Sequence, residues 1–161
     1  MAPVLRPQQY HRSRSFSPGG TGFMGRRLAT LLLQRGHTVR ALARPGRAGW
    51  LPPGCQVVTS DPLHGLSYAA HAAPADTFVH VEGVAHPTPS KASEFLRVDL
   101  GSVEHAVPAA VTAGIAHFIS ISVAQPAPVM QADLPARARA EAPIRTGAGI
   151  LGVPELRRLR R

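Results

Sequence analysis

Two hydrophobic rhythms divide this chain. Met24, Leu28, Leu31 and Leu32 recur at helical spacing. Gly36 then stands where a helix stops, and His37 opens the next element. Beyond it the apolar residues gather in short, strand-like runs. HTVRALAR (37–44) sets Val39 and Ala41 on one face, CQVVTSD (55–61) ends at an acid, and ADTFVHVEG (75–83) is a buried mix of β-branched and aromatic residues. IAHFISISV (115–123) is a further strand. Between them RPGRAGWLPPG (44–54) is turn-rich and LHGLSYAAHAA (63–73) makes a weak short helix. Residues 90–113 form a long helical stretch closed by Gly114, and a last helix is expected over 135–145, with Pro135 suited to its first turn. Residues 1–14 read as a loose basic tail and 147–161 as a second one, which leaves 15–146 as the folded domain.

Strands alternating with helices make βαβ units, hence an α/β fold with a parallel sheet and helices on both faces. One strand breaks the pattern. The segment SPGGTGFMGRRLATLLLQRGH (17–37) is entered through RSRSFSP (12–18). A central parallel strand is buried on both faces and reads as a continuous apolar run. This one offers only Phe16, and Pro18 lacks a ladder N–H. The expectation is a first strand that is damaged or replaced.

With 161 residues, 44% of them hydrophobic, the chain is long enough for one domain with a real core and too apolar for disorder. No apolar run approaches the ~20 residues that cross a bilayer, and no secretory h-region with a cleavage site is seen. Cys55 is the only cysteine, which excludes an intrachain disulfide and a cysteine-based zinc cluster. A reducing cytoplasm is the expected compartment. The net charge of +9 is unevenly placed. Arg6, Arg12, Arg14, Arg26, Arg27, Arg35, Arg40, Arg44 and Arg47 all precede the first acid, Asp61. The stretch from Asp61 to Asp133 is acid-rich, and Arg157, Arg158, Arg160 and Arg161 close the chain. Such asymmetry fits a polyanion, or a phosphate-bearing ligand held by the first half. Arginine supplies every Lys/Arg charge except Lys91, a bias that lowers the weight of arginine count alone. The acid-free, Arg- and Ser-bearing start also has some transit-peptide character.

The glycines carry the chemistry. A pyrophosphate needs backbone N–H groups aimed at it, no Cβ in the way, and the partial positive charge of a helix N-terminus. Gly19 would make the tight turn, Gly22 would let the backbone approach the phosphates, and Gly25 would let the helix pack close to its strand. Their spacing is G-x-x-G-x-x-G, one residue longer in the first gap than the dinucleotide fingerprint. Spacing alone also suits a strand–helix turn that holds no ligand.

The run GGTGFMGRRLATLLLQRGHTVRALAR resembles the nucleotide-binding start of the extended and atypical short-chain dehydrogenase/reductases. That family includes NAD-dependent epimerase/dehydratases and NmrA-like NAD(P)H-binding proteins. The resemblance continues through SDPL (60–63), ADTFVHVEGVAH (75–86), FLRVDLGSVEHAVPAAVTAGIAHFISIS (95–122) and VAQPAPVM (123–130). It implies an incomplete Rossmann-like sheet, without the family's sixth strand and substrate region, in which Gly19, Gly22 and Gly25 form the phosphate loop. Phe23 and Met24 would start the first helix, Asp61 would lie near the adenine, and Gly83 against the cofactor's middle. Arg44 ends the second strand, where NAD-dependent members often place an acid for the ribose 2′-OH. An arginine there suits a 2′-phosphate, so NADP is expected, with NAD the second choice; Arg26 or Arg47 would add to the same field.

The chain also departs from that family. Glu82 stands at a position usually small, where an ionised side chain would repel a pyrophosphate. Pro108 lies inside the long helix, where proline costs about 3 kcal/mol unless the helix bends or ends, and Pro143 interrupts the last helix. The family's proton-transferring tyrosine and its lysine four residues later are matched by Asp133 and Arg137, and its serine by Ser122 or Val123. Tyr10 and Tyr68 fit no such motif, so no catalytic residue is assigned. Four histidines, His64, His71, His80 and His86, lack metal-ligand spacing. Ser120, His117 and Asp99 lack the G-x-S-x-G elbow of a hydrolase triad. The terminal ELRRLRR carries no aromatic platform for nucleic acid. The expected function is therefore dinucleotide binding of the oxidoreductase, epimerase or dehydratase type. The alternatives are a non-catalytic NAD(P)H-binding regulatory module and an inactive, truncated or frame-disturbed remnant.

Overall fold

The computed structural model describes residues 11–84, 92–121 and position 139. Five parallel strands form one sheet: β1 (Arg14–Ser17), β2 (Thr38–Ala43), β3 (Gln56–Thr59), β4 (Thr77–His80) and β5 (His117–Ser120). Their order is β3-β2-β1-β4-β5, the Rossmann arrangement, with the reversal of winding between β1 and β4. The helices are α1 (Phe23–Gln34), α2 (Gly65–Ala72), α3 (Ala92–Glu94) and α4 (Gly101–Thr112), with a π-helical stretch, Phe95–Leu100, joining α3 to α4. Among the described residues no helix is long and apolar enough to cross a membrane. The helix expected over 135–145, with Pro143, falls outside the described residues except for Arg139, which is helical; residues 147–161 also fall outside.

The strand read as damaged is intact and central. β1 pairs with β2 on one side and β4 on the other. Its polar residues succeed because each has a partner. Ser17 Oγ donates to the Val79 carbonyl at 3.0 Å, and Ser15 Oγ to the Thr38 carbonyl at 3.4 Å. Both hydroxyls are buried, so an unmet one would be costly. Pairing with β2 ends at Ser17, so Pro18 sits just past the ladder and its missing N–H removes no rung. The order also reaches into the segment expected to be a loose tail. Arg14 forms an ion pair with Asp76 at 2.9 Å, and the Ser13 amide donates to His37 Nδ1. The pair is solvent-exposed and holds the Asp76 carboxyl below its usual pKa, chiefly through the Arg14 side chain.

Alternation along β1 explains the two layers. Phe16 is in register with Phe78, and Phe78 with Phe118, so one aromatic row crosses three strands. Ring centroids are 5.3 Å and 5.0 Å apart along it, and Tyr68 of α2 stacks on Phe16 at 5.7 Å. This row, with Leu42, Val58 and the inner faces of α2 and α4, is the larger core. Burial holds the Tyr68 phenol well above its ordinary pKa. Ser15 and Ser17 take the opposite face, in register with Val39 and Ala41. Here the residues are small, and α1 packs with Ala29 against Val39, Ala41 and Ala43.

That small-residue face rotates α1 from the expected orientation. Gly25 and Ala29 are buried, while Met24 and Leu31 are 54% and 47% exposed. Leu32 and Leu33 pack at the margin. The hydrophobic period was helical, but the tightest contact falls on the residues with least side chain. The long helix also runs through Pro108, which lies on its exposed side together with Glu104, whose carbonyl loses an intrahelical donor. Solvent can supply that donor, so α4 continues to Thr112. Beneath α2, Arg40 donates to the His71 and Ala73 carbonyls at 2.6 and 2.8 Å, satisfying the helix end.

Phe16→Ala should lower the free energy of unfolding by about 3–5 kcal/mol, and Ser17→Ala by about 1 kcal/mol. Equilibrium denaturation in urea measures both. A Phe16→Ala loss no larger than that of Ser17→Ala would contradict the aromatic row as the centre of the core.

Candidate functional site

The loops that follow four strands meet in one cleft of about 470 Å³. β1 contributes Gly19, Thr21 and Gly22; β2 contributes Arg44, Arg47 and Trp50. β3 contributes Asp61, Pro62 and Leu63; β4 contributes Val81, Glu82, Gly83 and Val84. Glu94, Arg97 and Val98 close it from the helical stretch. The cleft thus lies beyond the carboxyl ends of the strands and includes the β1/β4 reversal, where ligands of open α/β sheets bind.

The glycine loop is shaped by close approach. Gly19 has φ +75°, and a Cβ there would meet Glu82 Cγ at 2.8 Å. A Cβ on Gly25 would run into the Gly19 carbonyl and approach Gly20 Cα to 2.7 Å. Gly20 lies against Ala41 in the same way. Gly22 is the N-cap of α1; no side chain caps the helix and no acid occupies its first turn. The first amides of α1 therefore remain without a side-chain acceptor at the positive end of the helix dipole. Phe23 and Met24 do begin α1. Their side chains are 62% and 54% exposed and do not line the cleft, so whatever they offer comes from their main chain.

After β2, Arg44-Pro45-Gly46-Arg47 makes a tight turn. The Arg47 amide donates to the Arg44 carbonyl at 3.0 Å, Pro45 presets the second position and Gly46 takes φ +77°. Arg47 then stacks on Trp50, 4.1 Å from the ring centre, and Arg26 lies 5.9 Å from it. Asp61 uses Oδ1 to accept the Leu63 amide at 2.9 Å, which folds the loop after β3. The loop after β4 is tied down by the Val84 amide, which donates to Asp99 Oδ2 at 3.1 Å. His80, buried at the end of β4, lies 3.0 Å from Ser102 Oγ and 3.3 Å from Ser120 Oγ.

Of the residues singled out from the sequence, Gly19, Gly22, Arg44, Asp61 and Gly83 line the cleft, and Gly25 packs behind it. Ser120, His117 and Asp99 are not assembled: Ser120 faces His80, His117 faces Thr77 and Asp99 holds Val84. Among the described residues no group of three or more His, Cys, Asp or Glu could hold a metal. Asp133, Arg137, Ser122, Val123, His86 and Tyr10 lie outside the described residues. Gly20, Thr21, Trp50, Glu94 and Arg97 were not singled out. For Gly20 a signal existed, since residues 20–25 read G-x-G-x-x-G. Trp50 and Arg97 carried none, because only folding brings them to the cleft.

Glu82 is the unusual group. Its Oε2 is shut off from solvent and has no hydrogen-bond partner. Burial is the main force raising its pKa, to about 8; Arg44 and a main-chain hydrogen bond from Gly19 oppose this, while Asp61 and Asp99 add to it. An unfolded glutamate releases its proton near 4.5 and the folded one near 8. Folding is therefore favoured most below pH 4.5, loses stability as pH rises to 8, and changes no further beyond. Glu82→Gln should raise Tm at pH 8.5 by on the order of 5 °C, with the gain shrinking toward pH 5. Thermal melts at the two pH values check this, and a pH-independent difference would contradict it.

Comparisons with known proteins agree with this geometry. A family model described as NAD(P)H-binding matches residues 19–143. A 3-beta-hydroxysteroid dehydrogenase of Mycolicibacterium neoaurum is 30% identical over 123 residues, which are 73% of this chain and 33% of that protein. The structure of WbmH from Bordetella bronchiseptica in complex with NAD+ aligns with TM-score 0.66 and 18% identity, over 86% of this chain and 54% of that one. A UDP-galactose 4-epimerase aligns with TM-score 0.69 and 17% identity, over 81% and 50%. The chain thus spans about a third of the dehydrogenase and about half of each solved chain. On these grounds the chain belongs to the NAD(P)H-binding family.

Proposed function

We propose that the cleft binds NADP in preference to NAD, as the cofactor-binding part of an oxidoreductase of the epimerase/dehydratase type. The observation that carries the preference is the turn after β2. It places Arg44 and Arg47 at the cleft beside Trp50, with no acid at the end of the strand. A 2′-phosphate calls for this charge, whereas a ribose 2′-OH is served by a carboxylate. The residues present also fit the rest of a dinucleotide. The uncapped start of α1 and the Cβ-free loop at Gly19, Gly20 and Gly22 suit a pyrophosphate. Asp61 and the flat Trp50 ring would border the adenine, and Gly83 the middle of the cofactor. When bound, the nicotinamide supplies hydride transfer; the chain's part is to hold it and to exclude water. A reducing cytoplasm is the proposed compartment, in keeping with the free, half-buried Cys55.

A second reading is a non-catalytic NAD(P)H-binding regulatory module. It is favoured by one feature of the sequence: neither Tyr10 nor Tyr68 has a lysine four residues on, and Lys91 is the only lysine.

Trp50 is the only tryptophan, so its fluorescence reports on the cleft. Titration should show NADPH binding at least ~10-fold tighter than NADH. Arg44→Ala should weaken NADPH by about 10–100-fold, the worth of a charge-assisted hydrogen bond, and leave NADH within about twofold. Equal affinities for the two nucleotides would overturn the preference, and no binding of either would overturn the function.

A further inference from the structure

We propose that Glu82 acts as a neutral carboxylic acid that donates a hydrogen bond through Oε2 to a pyrophosphate oxygen of the bound dinucleotide. The inference rests on the reading of the cleft as a dinucleotide site. Glu82 touches the phosphate loop itself: its Cγ fills the space a Gly19 Cβ would need, and the Gly19 main chain lies close enough to draw its pKa down. Oε2 is shut off from solvent and has no partner in the protein. A neutral acid at Oε2 needs an acceptor, and phosphate oxygens are acceptors only. An ionised Oε2 would meet them with like charge.

The surroundings favour the neutral form. Facing Glu82 are Arg44 from the end of β2, Asp61 from the loop after β3, Asp99 from the π-helical stretch, Gly19 from the loop after β1 and, within electrostatic reach, Tyr68 of α2. Glu94 and Arg97 also line the cleft. With Glu82 neutral, three arginines (Arg44, Arg47 and Arg97) balance the carboxylates of Asp61, Glu94 and the nearby Asp99. Ionising Glu82 tips that balance negative just where two phosphates must enter. Burial, the main force raising the Glu82 pKa to about 8, keeps the acid protonated at neutral pH.

The consequence is a link between binding and protons. Calorimetric titration of the full chain with NADH, which has no phosphomonoester to titrate, should give constant affinity from pH 6.5 to about 8. Affinity should then fall on the order of thirtyfold by pH 9.5, each NADH taking up nearly one proton at pH 9. Glu82→Gln keeps an N–H donor and cannot ionise. Its NADH affinity should show a flat profile from pH 6.5 to 9.5 and no proton uptake. A flat wild-type profile, or the same fall in Glu82→Gln, would overturn the role of Glu82. Affinity rising with pH would also overturn it, pointing instead to a carboxylate accepting a ribose hydroxyl. No binding by either protein at any pH would remove the dinucleotide site itself and this inference with it. Proton uptake by the wild type is decisive without any variant.

Discussion

Ser15 and Ser17 can occupy the middle of a parallel sheet because each hydroxyl donates to a carbonyl of a neighbouring strand. Phe16, between them, sends its ring to the other side and joins the row through Phe78 and Phe118. The two faces of one short strand thus do different things. One carries large apolar area into the core. The other is small and internally satisfied, which lets α1 approach until only glycine fits at position 25.

The cleft depends on that approach. With α1 held this close, its uncapped N-terminus lies beside the loop after β1, and the loop after β4 closes over the same point. Glu82 is drawn into the joint, filling the space that Gly19 leaves open. A buried carboxyl with an unpartnered oxygen is a liability in the fold taken alone. It becomes intelligible in a site whose proposed ligand brings acceptor oxygens. The turn after β2 adds arginine and tryptophan at the opposite lip, so the charge that looked diffuse along the first half of the chain becomes local.

Much of this was legible in the sequence. The change from helical to strand-like rhythm after Gly36, the β-branched run over 75–83 and the glycines at 19, 22 and 25 placed the elements and the loop in order. Strand limits came out shorter. ADTFVHVEG yields only Thr77–His80, because the residues after His80 leave the ladder to line the cleft. The first strand was misjudged because an apolar run is only the commonest way to bury a strand; a hydroxyl paired to a carbonyl is another, and its partner is remote in sequence. The inward face of α1 was misjudged for a related reason. Leucines mark a helix, but the sheet beneath decides which side comes closest.

The sequence by itself determined the α/β alternation, the glycine loop and the absence of an acid at the end of the second strand, since each depends on residues near one another along the chain. Tertiary structure alone decided that RSFS is a central strand, that Trp50 and Arg97 join the cleft and that Glu82 packs against Gly19. These are contacts between segments tens of residues apart. Burial and hydrogen-bond satisfaction are properties of the packed neighbourhood, which no local pattern encodes.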